Sequence, residues 1–408
     1  VGARQPSERD AWICLASIDG IGEVRFHQLI GSLGGAMEVL DEVRDCSAKA
    51  IVGRLKPHLE ATLPLPVAER IERTLGDPFR VQRRMDELGV WSLTPLDADY
   101  PVDLLELEHM PPVIYGQGSR AALTVERRVA VVGTRRPTLA GRALAGKVAR
   151  RLADCGAAVF SGLAIGIDGA AHAATLEADG RTVAVIGGGH ANPGPRAHRR
   201  LVDRILSTGG ALIGELEPDA IPTKGTFPRR NRIISVLTQA TIVIEAPMRS
   251  GALITARHAL EQGRTVLAAP GRPGDPQTAG CLALLRETPA RPLVGLDEMV
   301  VDLGLDVAGP SGPASSGASL SAETALALLG PAERAVADRL RRGPASADAL
   351  IADTGLPAAV ASGAITLLLL RGWAQALGPA YLAAGPLLGT RPAPAPEARA
   401  APLLTSPR

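Results

Sequence analysis

From Arg128 onward the chain alternates short apolar runs with longer amphipathic stretches, and this alternation restricts the fold more than any other feature. Apolar runs at Val129–Gly133, Ala157–Ser161, 182–187, 211–215, 241–245 and 265–269 are followed in turn by helical patterns at 139–155, 167–178, 197–208, 229–239, 252–262 and 277–287. Continuous apolar strands separated by helices are buried on both faces. That predicts a parallel sheet with helices on each side, joined by right-handed crossovers. The fold class read from this is α/β, with a Rossmann-like domain over 128–303. Ligands of such sheets bind beyond the carboxyl ends of the strands, so the loops there are where function is sought.

The flanks read differently. Residues 1–75 look like a helical domain. In it, Ile18-Asp19-Gly20-Ile21-Gly22 precedes an apolar series at Phe26, Leu29 and Ile30. The glycine turn fits either a helix-hairpin-helix, which offers N–H groups to a phosphate, or an ordinary αα-hairpin; the second is preferred. Residues 76–127 read as a connector ending in an edge strand at 111–116. Residues 304–320 are Gly, Pro, Ser and Ala, a flexible linker. Residues 321–385 resemble a winged helix, with Pro331 opening one helix, Ser346 capping a second and Pro357 opening a third. That third helix, 358–370, has no Lys or Arg before Arg371, so a packing or protein-contact role is expected rather than DNA reading. The Pro- and Ala-rich tail, 386–408, is expected to be disordered.

Composition sets limits. Hydrophobic residues make up 46% of the 408, enough for a sizeable core, but aromatics only 2%, so an aromatic outside a core pattern is informative. The net charge is +2, from 44 basic and 42 acidic residues, so any nucleic-acid footprint must be local. Cys14, Cys46, Cys155 and Cys281 have neither metal-ligand nor disulfide spacing. The first ten residues are polar, and no apolar stretch approaches a membrane span. A cytoplasmic protein is expected, with no membrane partner, no metal and no cofactor.

One segment concentrates the chemistry. Residues 227–234 read Phe227-Pro228-Arg229-Arg230-Asn231-Arg232-Ile233-Ile234, with apolar residues recurring at 237 and 240. The arginines are expected at or near a helix start, where unpaired N–H groups already favour anions. Phe227 offers a flat face on which an unpaired base can stack. Three more loops are expected on the same rim: Gly133-Thr134-Arg135-Arg136, the loop opening at Ser161-Gly162, and the loop into Ser250-Gly251. Lys224 precedes the aromatic. Glycines let a phosphate approach the backbone, and Ser250 can cap the following helix.

Other patterns fail chemically. Gly187-Gly188-Gly189 does not complete a dinucleotide fingerprint. Gly141 to Lys147 lacks the Ser or Thr that would hold magnesium and lies inside a predicted helix. Asp168 and His172 read as a capping carboxylate and a helix histidine, since no nucleophile or metal partner accompanies them.

Together, Val-Gly-Thr-Arg (132–135), Ser-Gly-Leu-Ala-x-Gly-Ile-Asp-x-x-Ala-His (161–172), Phe-Pro-x-Arg-Asn-Arg-Ile-Ile (227–234), Ser-Gly-x-Leu-Ile-Thr-Ala (250–256) and Ala-x-Pro-Gly (268–271) resemble the bacterial DNA-processing protein A family, DprA or Smf. The resemblance covers residues 100–300. It implies an extended Rossmann core that binds single-stranded DNA without sequence preference, protects it, loads the RecA recombinase onto it, acts in transformation and recombination, and forms a homodimer through the Rossmann-like domain. It implies that Arg135 binds phosphate, that Phe227 contacts a base, that Lys224, Arg229, Asn231 and Arg232 belong to the same groove, and that Ser161-Gly162 and Ser250-Gly251 line it. No catalysis is implied. The chain departs from the family at His190-Ala191, Gly194-Pro195, His198 and Leu282, so loop 188–198 carries no expectation from it. The competing class is a nucleoside-monophosphate phosphoribohydrolase on a related fold, but residues 249–255 lack that chemistry's diglycine loop.

Overall fold

The structure, a computed structural model, describes residues 5–49, 52, 63–305, 322–327, 329–377, 380–384 and 387. The expected linker, 304–320, and tail, 386–408, lie almost wholly outside the described residues.

The helical N-terminal domain comprises α1 (Glu8–Ala16), α2 (Glu23–Leu33), α3 (Ala36–Asp45) and α4 (Leu65–Thr74). Ser7 and Asp10 cap α1 reciprocally. The Glu8 carboxylate accepts from the Ala36 and Met37 N–H groups at 2.7 and 2.9 Å, so α1 supplies the cap that α3 lacks locally. The core includes Trp12 against Phe26, ring centroids 5.0 Å apart. The glycine turn at 20–22 is closed by protein groups. Arg25 donates to the Gly20 carbonyl and Arg70 to the Asp19 carbonyl.

The main sheet has nine strands in the order β1-β2-β6-β5-β4-β3-β7-β8-β9. Its parallel centre is β3 (Arg128–Val132), β4 (Ala158–Ser161), β5 (Thr182–Val185), β6 (Ala211–Gly214), β7 (Ala240–Val243) and β8 (Thr265–Ala268), with a short β9 (Arg291–Pro292). Val129–Val132 pair in register with Ala240–Val243. One apolar layer, with Phe160 and Ile233, covers one face, and another, with Val148 and Ile167, covers the other.

The connector is a correction to the sequence reading. After α5 (Arg80–Leu88), β1 (Trp91–Leu93) and β2 (Ile114–Gly118) join the main sheet antiparallel. β2 is not an edge strand, because β1 pairs on its outer side. Gly116 is needed there, since the Trp91 ring occupies the space of a β-carbon.

The crossover helices are α6 (Leu139–Asp154), α7 (Ile167–Glu177), α8 (Arg199–Ser207), α9 (Thr226–Val236), α10 (Gly251–Glu261) and α11 (Ala279–Glu287), followed by α12 (Leu296–Asp302). The C-terminal module contains α13 (Ala322–Ala327), α14 (Pro331–Leu340), β10 (Ala345–Ser346), α15 (Ala347–Thr354), α16 (Ala358–Leu370), β11 (Ala374–Leu377) and β12 (Ala380–Ala383). It docks on the connector. Gln375 donates to the Leu105 carbonyl at 2.7 Å, and Leu382 packs into the N-terminal core. Among the described residues no single helix is long and apolar enough to cross a bilayer.

Candidate nucleic-acid interface

From β3 the chain runs through β4, β5 and β6 in one direction, then returns to β7 on the other side of β3. The loops after β3 and β7 therefore diverge, and a crevice opens between them. A cleft of about 640 Å³ lies there.

Small residues and buried carboxylates shape its walls. A β-carbon on Gly133 would stand 2.6 Å from Ile167 and 3.0 Å from the Glu245 carbonyl, so the turn after β3 admits only glycine. Thr134 N–H donates to that same carbonyl at 2.7 Å. The buried Glu245 carboxylate accepts from Thr138 N–H at 2.9 Å and from its hydroxyl, fixing the start of α6. After β4, Asp168 accepts from the Gly162 and Ala164 N–H groups at 3.1 and 3.3 Å. This holds a loop with Leu163 at φ 58° and Gly166 at φ 103°. A β-carbon on Gly166 would meet the Thr134 carbonyl at 2.4 Å, which joins this loop to the one after β3. Burial raises the Asp168 carboxyl above its usual range, opposed by the Arg230 charge and the backbone N–H groups.

Helix α9 forms the opposite wall. It begins at Thr226, three residues before the start predicted at 229, because Pro228 is tolerated within a first turn. The arginines therefore fall past the first turn, and the period of 3.6 distributes them around the helix. Phe227, Arg230, Asn231 and Ile234 face the cleft. Arg229 and Arg232 face away, onto the buried Glu215 at 2.9 and 2.6 Å and onto Glu23 of α2 at 3.1 and 3.8 Å.

Phe227 is half-buried, whereas Phe26 and Phe160 are fully buried. Its ring packs on Gly187, where a β-carbon would come within 2.8 Å, and the Arg135 guanidinium lies over it, 5.4 Å from the centroid. Arg230 is buried beneath. It donates to the carbonyls of Gly162, at 3.0 Å, and Val185, and to the Asn231 side chain at 3.2 Å. Burial pulls its guanidinium down to about 10, still cationic at neutral pH. Asn231 donates to the Gly251 carbonyl at 3.2 Å and ties α9 to α10. Arg135, Arg136, Lys224 and Arg249 line the cleft with exposed side chains, and Asp168 is its one acidic lining residue.

The expected residues are thus only partly brought together. Gly133, Thr134, Arg135, Arg136, Lys224, Phe227, Arg230, Asn231, Ser250 and Gly251 line the cleft. Ser250 also caps α10 through the Ala252 N–H. Four of the expected residues do not line the cleft. Ser161 is buried and donates to the Val131 carbonyl at 2.7 Å. Gly162 contributes its carbonyl to Arg230. Arg229 and Arg232 are held by Glu215 and Glu23. Arg249 and Gln277 also line the cleft; the sequence placed Arg249 in the loop expected on this rim without assigning it a role, whereas Gln277 carried no such signal. His172 is a core histidine. The Thr182 hydroxyl donates to the Val159 carbonyl and accepts from His172 Nδ1 at 2.7 Å.

Comparison with known proteins agrees with this architecture. Residues 91–304 match the family described as DNA recombination-mediator protein A, and residues 321–378 match the DprA winged helix domain. DNA processing protein DprA of Bacillus subtilis is 38% identical over 208 residues, 51% of this chain and 70% of that protein. A putative DNA processing protein DprA of Mycobacterium tuberculosis is 36% identical over 320 residues, 75% of this chain and 79% of that protein. The X-ray structure of DprA from Streptococcus pneumoniae superposes with a TM-score of 0.54 at 32% identity, covering 69% of this chain and 98% of that one. With its α/β core and C-terminal winged helix both matched, the chain belongs to the DNA recombination-mediator protein A (DprA/Smf) family.

Proposed function

We infer that this protein binds single-stranded DNA without sequence preference, in the cleft between the β3 and β7 loops. The observation that carries the reading is the half-exposed Phe227 ring beside four exposed cations. Every base has a π-face, so stacking on Phe227 is blind to sequence. Duplex bases are already stacked and cannot use the ring. Arg135, Arg136, Lys224 and Arg249 supply phosphate contacts, and Arg230 adds positive potential from below. No bond is made or broken. Asp168 is committed to backbone N–H groups, and His172 is buried away from the cleft.

Family membership supports a role in DNA processing. Protection of the strand, loading of RecA, action in transformation and recombination, homodimerisation through the Rossmann-like domain and a cytoplasmic location extend that reading.

Titration of labelled single- and double-stranded oligonucleotides at several salt concentrations tests it. The expected result is tighter binding of the single strand, with log affinity falling by roughly 0.7 per phosphate contact against log salt. Equal affinity for duplex, or binding indifferent to salt, would contradict it.

A further inference from the structure

We propose that a second basic surface, formed by Arg196, Arg199, Arg200 and Arg204, continues the path of the same DNA strand beyond the cleft. The proposal rests on the single-strand reading of the cleft and extends it to a longer footprint.

These arginines are exposed, and Asp203 is the one acid among residues 196–204. Among the described residues none of the four makes an ion pair or a side-chain hydrogen bond. Some exposed arginines elsewhere are paired, such as Arg80 on Glu217 and Arg150 on Glu177, and others are not; what marks this segment is four unpaired ones within nine residues. Two of the four occupy the first turn of α8, which holds no acid. A helix start already carries partial positive charge, so arginines are unfavourable there without an anion. The patch is therefore a concentration of uncompensated charge at a place where local structure disfavours it.

Its position is tied to the cleft. The chain leaves β5 at the carboxyl rim of the sheet, with Gly187 beneath the Phe227 ring. Gly194 then packs on Leu163, where a β-carbon would come within 2.8 Å. His198 Nδ1 bonds the Leu163 carbonyl at 3.0 Å, and its ring covers Gly169. Leu163 belongs to the loop that Asp168 holds at the cleft wall. The start of α8 is thus fixed to the cleft through two short contacts. Because β5 is two strands from β3, it lies roughly 10 Å along the rim.

The chemistry of the patch is one-sided. No Phe, Tyr or Trp occurs between Gly187 and Gly210, His190 is buried, and the His198 ring is packed on Gly169 and bonded to Leu163, so the segment offers no free ring on which a base can stack. What four guanidiniums without rings fit is a run of phosphates. The cleft would hold base and backbone, and the α8 surface backbone alone.

The test uses the full chain and oligothymidylates of increasing length, with the triple variant Arg199→Glu/Arg200→Glu/Arg204→Glu and the charge-removing Arg199→Gln/Arg200→Gln/Arg204→Gln. All three positions are exposed, and thermal melting checks that both variants fold. The wild type should gain affinity and salt slope as the strand lengthens. Both variants should bind the shortest oligomers like the wild type and lose the gain on longer ones, with a slope lower by about 2 at about 0.7 per phosphate. Unchanged affinity and slope on long strands would overturn the proposal while leaving the cleft reading intact, and would point to an acidic protein surface as the patch's partner. A wild type that binds no single strand of any length would overturn the cleft reading, and this proposal with it.

Discussion

Arg135 lies over the very ring that a base would use. An exposed cation–π contact is worth about 0.5–1 kcal/mol, whereas base–aromatic stacking is worth about 1–3 kcal/mol. A base arriving with its phosphate can therefore displace the guanidinium from the ring and receive it as a counter-charge. The free protein keeps ring and cation together, and on the proposed reading a bound strand would separate them. Residues deeper in the fold respond to pH instead. Burial pulls His172 down to about 3 and His190 to about 4, from an ordinary 6.5. Both stay neutral in the folded state and take up a proton on unfolding below pH 6.5. Stability present above that pH is therefore lost as pH falls toward their folded values, by about 1.4 kcal/mol per unit for each. Denaturant midpoints at pH 7 and pH 5 should show this loss. His190→Leu should remove its share of it; an acid sensitivity identical to that of the wild type would contradict the assignment.

At the scale of the element, α9 shows what a sequence discloses and what it withholds. The aromatic and the arginines were legible as a basic, phosphate-suited segment on the correct rim. The alternation of apolar runs placed nearly every core strand and helix within a few residues. The division of the arginines was not legible, because it depends on two facts outside the segment. One is the helix start at Thr226, which turns Arg229 and Arg232 away from Phe227. The other is Glu23, some two hundred residues earlier, which reaches them only through domain docking. Likewise, β1 and β2 were hidden as sheet members because short strands beside prolines carry little periodicity. The ion-pair cluster leads to a prediction. Arg232→Ala leaves the buried Glu215 with a single arginine, and breaking a buried pair costs about 3–5 kcal/mol, toward the low end here because Arg229 remains. The variant should unfold earlier in denaturant yet keep the DNA salt slope of the wild type. A flattened slope at unchanged stability would return Arg232 to the cleft.

On the scale of the whole molecule, the carboxylates of one domain hold the arginines of another, and the winged helix is pinned through Gln375 and Leu382. The arrangement leaves the β3–β7 cleft with the Phe227 ring and four exposed cations together. Helix α16 is the position a DNA-reading helix would take, yet it carries no cation, and Arg371 beyond it is engaged with Glu333 and Trp373. Adding negative charge at its exposed positions, as in Ser362→Glu/Thr366→Glu, should leave single-strand affinity within about twofold. A tenfold loss, about 1.4 kcal/mol, would place α16 on the DNA.

The most direct test of the cleft is a paired salt titration of Phe227→Ala and Arg135→Ala with single-stranded DNA. Phe227→Ala should keep its melting temperature, lose affinity by about 1–3 kcal/mol at every salt concentration and retain the slope. Arg135→Ala should weaken binding to all sequences alike and lower the slope by about 0.7. Normal affinity in Phe227→Ala with a large fall in melting temperature, or an unchanged slope in Arg135→Ala, would contradict the account.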